Sequence, residues 1–122
     1  MYYERDWIMR QIQMTIHLIV KLALKKDFLQ YEVQDEANLS QTDLLYRRLG
    51  KLLDEHKICD AEDLLFSNFD NSREYLTLAI DFYNRLNGFN DDMLEKNNFS
   101  REEIYEGLNE IIHRHGITLP SV

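Results

Sequence analysis

Apolar residues recur at spacings of three and four through every long segment of the chain, and strict alternation is nearly absent, so the pattern predicts helices throughout. The longest apolar run, Trp7 to Leu24, contains neither Gly nor Pro. At about 100° per residue, Leu22, Ile8, Ile19, Ile12, Ala23, Ile16, Met9 and Val20 fill one arc of roughly 160°, with Trp7, Leu18 and Met14 beyond it. Gln13, His17, Arg10 and Lys21 gather on the opposite side. A surface helix needs an apolar stripe only a little over about 100° wide. This helix therefore asks for more cover than one neighbour gives. It suits the centre of the fold, a seam between two copies, or a seat on a membrane surface.

The remaining elements follow from punctuation. Residues 28 to 39 have no clean period and read as a connector whose Phe28, Leu29, Tyr31 and Val33 pack against the body. Ser40, with Asp43 three residues on, offers an N-cap to a second helix reaching His56, on Leu45, Leu49, Leu52 and Leu53. Gly50 inside it costs about 1 kcal/mol relative to Ala, which close approach of a neighbouring backbone would explain. Asp60, Glu62 and Asp63 open a short third helix that buries Ala61, Leu64, Leu65 and Phe69. Ser72 caps a fourth on Tyr75, Leu76, Ala79, Phe82, Tyr83 and Leu86, stopped by Asn87-Gly88. A short turn of helix covers Asp91 to Glu95. Ser100 to Glu103 is a capping box for the last helix, which carries Ile104, Gly107, Leu108, Ile111 and Ile112 on one face and ends at Gly116.

The expected architecture is therefore all-α, one domain over residues 1–122: a long first helix (1–27), the connector (28–39), helical hairpins (40–116) and a tail (117–122). A shift of 33 residues lays Leu45, Leu49, Leu53, Glu62 and Phe66 on Leu78, Phe82, Leu86, Glu95 and Phe99, close to the period of tetratricopeptide-like hairpins. Five to six helices can stack that way or form an irregular bundle, and both arrangements stay open.

Charge and cysteine count narrow the functional classes. Residues 1 to 26 hold five basic residues against two acidic ones, +3, which leaves −11 for the rest of a chain of net charge −8. So acidic a body repels phosphate backbones, and Arg47, Arg48 and Lys51 read as a solvated face, so nucleic acid is not an expected partner. The single Cys59 can form no intramolecular disulfide, which fits a reducing cytoplasm. His17 and Lys21 interrupt the first helix as a signal peptide or a spanning segment.

Chemistry-bearing patterns are sparse. Glu110 and His113 have the spacing that di-iron bundles use to aim two ligands inward, but no second such pair exists. Pairing of Glu110 with Arg114 on a solvated stripe is the simpler expectation. Cys59 stands just before a helix start, a position that can lower a thiol pKa, although packing beside Ile58 is its expected role. The glycines are isolated, so no phosphate-cradling loop forms. Of seven Tyr, six Phe and one Trp, Tyr46, Tyr75, Tyr83 and Tyr105 lie on or beside buried faces.

Four blocks in order, Asp6-Trp7-Ile8-Met9-Arg10-Gln11-Ile12, Ala61-Glu62-Asp63-Leu64-Leu65-Phe66, Ala79-Ile80-Asp81-Phe82-Tyr83 and Asn98-Phe99-Ser100-Arg101-Glu102-Glu103-Ile104, resemble a family of small bacterial proteins defined only as a domain of unknown function. The resemblance runs nearly the full length. It implies a compact helical protein of a bacterial cytoplasm and carries no activity to any residue.

The expectation is thus a non-enzymatic protein, without cofactor or metal, that binds another protein and first of all itself as a homodimer. Trp7, Ile8, Ile12, Ile16, Ile19 and Ala23 form its association ridge. Peripheral membrane attachment through the same arc is the first alternative, and a metal-dependent enzyme the second.

Overall fold

Six α-helices build the chain in a computed structural model that describes residues 2–26 and 31–119, with no strand among them. They are α1 (Tyr2–Leu18), α2 (Gln41–Asp54), α3 (Ile58–Ser67), α4 (Arg73–Asn87), α5 (Asp91–Lys96) and α6 (Arg101–Arg114), and a π-helical turn (Ile19–Ala23) continues α1. The predicted contacts of Phe28 and Leu29 lie outside the described residues, but Tyr31 is buried and Val33 packs against the core.

The helix ends show which starts are local. Ser40 accepts from Asp43 N at 3.0 Å while the Asp43 carboxylate accepts from Ser40 N at 2.9 Å, a complete capping box despite the short acid. Asp43 is also held by the Tyr31 hydroxyl, which donates to its Oδ1 at 2.6 Å. That bond first, and the Ser40 amide after it, keep the carboxyl below the usual carboxylate range. Ser72 and Ser100 accept from Tyr75 N and Glu103 N, both at 3.1 Å. Helix α3 begins at Ile58, two residues before the expected Asp60, because the Asn97 side chain accepts from Ile58 N at 3.2 Å. An oxygen from another element thus satisfies a donor of the first turn. At the last helix Gly116 takes φ +69°, the left-handed value that lets the chain leave after Arg114.

The centre of the fold is α4 and not the first helix. Tyr75 through Ile80, Phe82, Tyr83, Leu86 and Asn87 are all buried, so this helix is covered nearly all round. Helices α1, α2 and α6 pack on it, α1 also packs on α6, and α3 pairs with α2. The hairpin α2–α3 stacks on α4, while α5 is a short bridge between α4 and α6. Gly50 is not explained by a close neighbour: a Cβ there would meet only Arg85 Nη1, at an ordinary 3.5 Å. Gly107 is the glycine that packing demands, since a Cβ on it would overlap both the Tyr83 hydroxyl and the Glu62 carboxylate.

Candidate interaction surface

Burial divides the six residues of the expected ridge. Ile8 and Ile16 are 6 % exposed, Ile12 and Ile19 are fully buried, and Ala23 is partly buried against the core, so these five line the seat of the first helix on the chain's own core. Each buried Ile contributes about 1.5–3 kcal/mol to that seat. Trp7 stands apart at 58 % exposure. Five of the six ridge positions drawn from the wheel are therefore covered from within the chain, and any outward surface of this helix is made by Trp7 and by positions outside the ridge.

Those positions are visible in the accessibility of the large apolar side chains. Among the described residues, Trp7, Met14 at 41 %, Leu22 at 54 % and Leu44 at 49 % are the exposed ones, and three of the four lie on the first helix. Trp7, Met14 and Leu22, with partly buried Gln11 and Leu18 between them, follow spacings of four, three, four and four. The first four of these positions keep the rhythm that holds one line along a helix.

Leu22 belongs to this line because of the π-turn. An α-turn carries residue i+4 about 40° ahead of residue i. The π-turn closes on Leu24 N→Ile19 O at 3.0 Å and holds more than four residues, which swings Leu22 back toward the azimuth of Met14 and Trp7. Wheel geometry without that turn assigns Leu22 to the buried arc, so periodicity alone gave no signal for its exposure.

The surround of the stripe is basic. Arg10, His17, Lys21, Lys25 and Lys26 are all exposed, and Asp6 stands at the opposite end beside Trp7. Arg10 folds back along the helix, its Nε donating to Asp6 O at 3.4 Å.

The other candidate chemistries resolve into structural contacts. Arg114 Nε donates to Glu110 Oε2 at 2.8 Å, as the spacing predicts, and His113 is exposed. The guanidinium of Arg114 also lies over the Phe66 and Phe69 rings, 5.0 and 5.6 Å from their centroids. Cys59 is exposed and not packed beside Ile58, and its Sγ donates weakly to Asn97 O at 3.7 Å. Desolvation, and then the carboxylates of Glu103, Glu62, Asp63 and Asp60, push this thiol up, opposite to the effect of a helix N-terminus alone. A cleft of about 870 Å³ runs past Lys25, Tyr31, Asp43, Asp70 and Glu74. Its charges are of both signs, and Tyr31 and Asp43 already bond each other, so no convergent ligand set forms there.

One partly buried polar pair carries a pH prediction. The Tyr83 hydroxyl donates to Glu62 Oε2 at 2.8 Å in the space Gly107 leaves open. Burial raises the Glu62 carboxyl above its ordinary range; the Tyr83 bond opposes this, and Glu103, Asp63 and Glu106 add to it. A carboxyl raised in the folded state contributes stability that is present below the unfolded carboxyl pKa and is lost as pH rises through the folded value. Glu62→Gln keeps an acceptor for Tyr83 and removes the ionisation. We expect the variant to be more stable than wild type near pH 7 and the two to converge toward pH 4 in urea unfolding curves. A difference independent of pH would show that ionisation of Glu62 is not the cause.

Comparison with known proteins adds a family and no activity. The model of a family of unknown function, DUF6483, matches residues 2–116, and the chain belongs to that family. No curated protein and no solved structure matches it. Among the described residues no helix is long and apolar enough to cross a membrane.

Proposed function

We propose that the chain is a non-enzymatic interaction module that associates first with a second copy of itself, through the outward face of α1 and its π-turn. The observation that carries this reading is the stripe of Trp7, Met14 and Leu22, which holds three of the four large apolar side chains exposed among the described residues. Exposed Trp is costly to keep in water and is the residue type most enriched among interface anchors. The inner face of the same helix is already used by α4 and α6, so the outward stripe serves a second surface.

Sedimentation across a wide concentration range tests it. Trp7→Ser with Leu22→Ser should leave helix content and melting cooperativity unchanged and shift the chain toward monomer. Leu44→Ser, equally exposed but on α2, should not. Association unaffected by the double change would place the contact elsewhere and overturn the proposal.

A second reading is favoured by one observation, the basic rim of Arg10, Lys21, Lys25 and Lys26 on an otherwise acidic chain. The same stripe then lies in the interface of an anionic membrane, with the lysines at the headgroups. Flotation with anionic vesicles at low salt decides between them: protein that stays at the bottom while it dimerises in solution is not a membrane binder.

A further inference from the structure

Resting on the reading of the α1 stripe as a self-association surface, we propose that the second copy docks on it antiparallel, helix against helix, about a two-fold axis beside Met14. The stripe is itself close to palindromic. Taken in order it is Trp7, Gln11, Met14, Leu18 and Leu22. Reversing it about a point just after Met14 sets Trp7 against Leu22 of the second copy, Gln11 against Leu18, and Met14 against Met14. A self-complementary patch of this kind is what a closed two-fold interface requires. The large ring meets the most exposed aliphatic residue at each end, and the polar Gln11 is the kind of seam residue that pins register at some cost in affinity.

Charge selects the direction. In an antiparallel pair the equivalent flanks of the two helices face each other, which brings Asp6 at one end within a turn of Lys21 in the second copy, twice over by symmetry. Arg10 falls opposite His17, and Gln13 lies by the axis. A parallel pair sets these flanks on opposite sides of the seam and keeps Asp6 about 22 Å from Lys21 along the axis, so it forms no such pair. Asp6 and Lys21 each already engage a neighbour within their own chain, and the cross-pairs add to those interactions. The Lys21 stem also reaches the Trp7 face, where an ammonium is attracted to the ring.

Area sets the class of complex. Trp7, Met14, Leu22 and Leu18 expose on the order of 300 Å² of apolar surface per copy, and the rim brings the total for two copies to roughly 1,000 Å². That is the lower bound for a specific interface and describes a reversible dimer.

Pulsed electron spin resonance tests direction, in a Cys59→Ser background with labels introduced as Gln13→Cys or Lys26→Cys. At about 1.5 Å per residue, the antiparallel pair separates the two helix ends at Ala23, beside which Lys26 folds back onto Val20 O, by roughly 25 Å along the axis. It leaves the Gln13 positions near the helix spacing of about 10 Å. Asp6→Lys and Lys21→Glu should each weaken the dimer about three- to tenfold, and their combination should restore it. Short distances at both labels mean a parallel pair, which overturns this inference and leaves self-association standing. A dimer that survives Trp7→Ser and shows neither pattern uses another face, and a chain that stays monomeric at every concentration removes both proposals.

Discussion

Ile12→Asp is expected to abolish cooperative folding, with loss of helical circular dichroism and of a sigmoidal urea transition. Ile12 is fully buried at the contact of α1 with α4 and α6. Removing the Ile side chain alone costs about 2–5 kcal/mol. The new carboxylate adds a charge with no partner, which costs several kcal/mol more even when it protonates. The sum, above about 5 kcal/mol, approaches the whole stability of a domain this size, about 5–15 kcal/mol. A variant that melts cooperatively within about 1–2 kcal/mol of wild type would mean that α1 is not seated on α4 and α6. The same reasoning excludes charged substitutions on the inner face of α1 as probes of association, because loss of the dimer and loss of the fold would look alike. Trp7→Ser and Leu22→Ser probe the outward face without touching the core.

Local signals were sufficient wherever a helix end is decided by its own residues. Ser40, Ser72, Ser100 and Gly116 occupy the cap positions their spacing predicts, because a hydroxyl three residues from an amide, or a left-handed glycine, needs nothing distant. The start of α3 has no local signal for the complementary reason: its donor is satisfied by Asn97, from a different part of the chain. Arg101 follows the capping Ser100 and nothing in its local sequence marks it as buried, yet it is 7 % exposed, since only the fold brings Asn87, Phe89 and Asp91 around it.

The interaction surface lay between these cases. Periodicity gave the correct inner face of α1, but an arc of apolar residues does not say where cover stops. That limit is set by how α4 and α6 approach, and the π-turn then moves Leu22 across it. The central role of α4 was better signalled. Leu76, Leu78, Ala79, Ile80 and Phe82 place apolar side chains on more than one side, which is the mark of a helix buried all round. The one-sided spacing of that segment and the longer apolar run of Trp7 to Leu24 leave the first helix as one candidate for the centre that α4 occupies.

Arg101→Met should cost about 3 kcal/mol, a loss for which chain volume gives no compensation because Met is nearly as long. The Arg101 guanidinium donates to Asn87 O at 2.9 Å, Asn87 Oδ1 at 3.2 Å, Phe89 O at 2.7 Å and Asp91 Oδ1 at 3.2 Å. Removing it strands two carbonyls and an amide oxygen at the end of α4, where an unsatisfied buried group costs about 1–3 kcal/mol. The Asp91 share is small, since that side chain is half exposed and screened. Arg101→Lys should recover only part of the loss, because one ammonium cannot fork across three acceptors and Nε of the arginine already has no partner to give up. In urea the midpoint should fall at unchanged slope. A shift worth less than about 1 kcal/mol would mean that water replaces the guanidinium at no cost. Hydrogen exchange then locates the effect. The turn from Asn87 to Asp91 should lose protection first, and the middle of α1 next, because the Asn87 side chain that Arg101 fixes also donates to Met9 O at 3.4 Å. That bond ties the α4 terminus to the helix whose outer face carries Trp7, so loosening Arg101 should weaken self-association slightly while leaving every residue of the stripe in place.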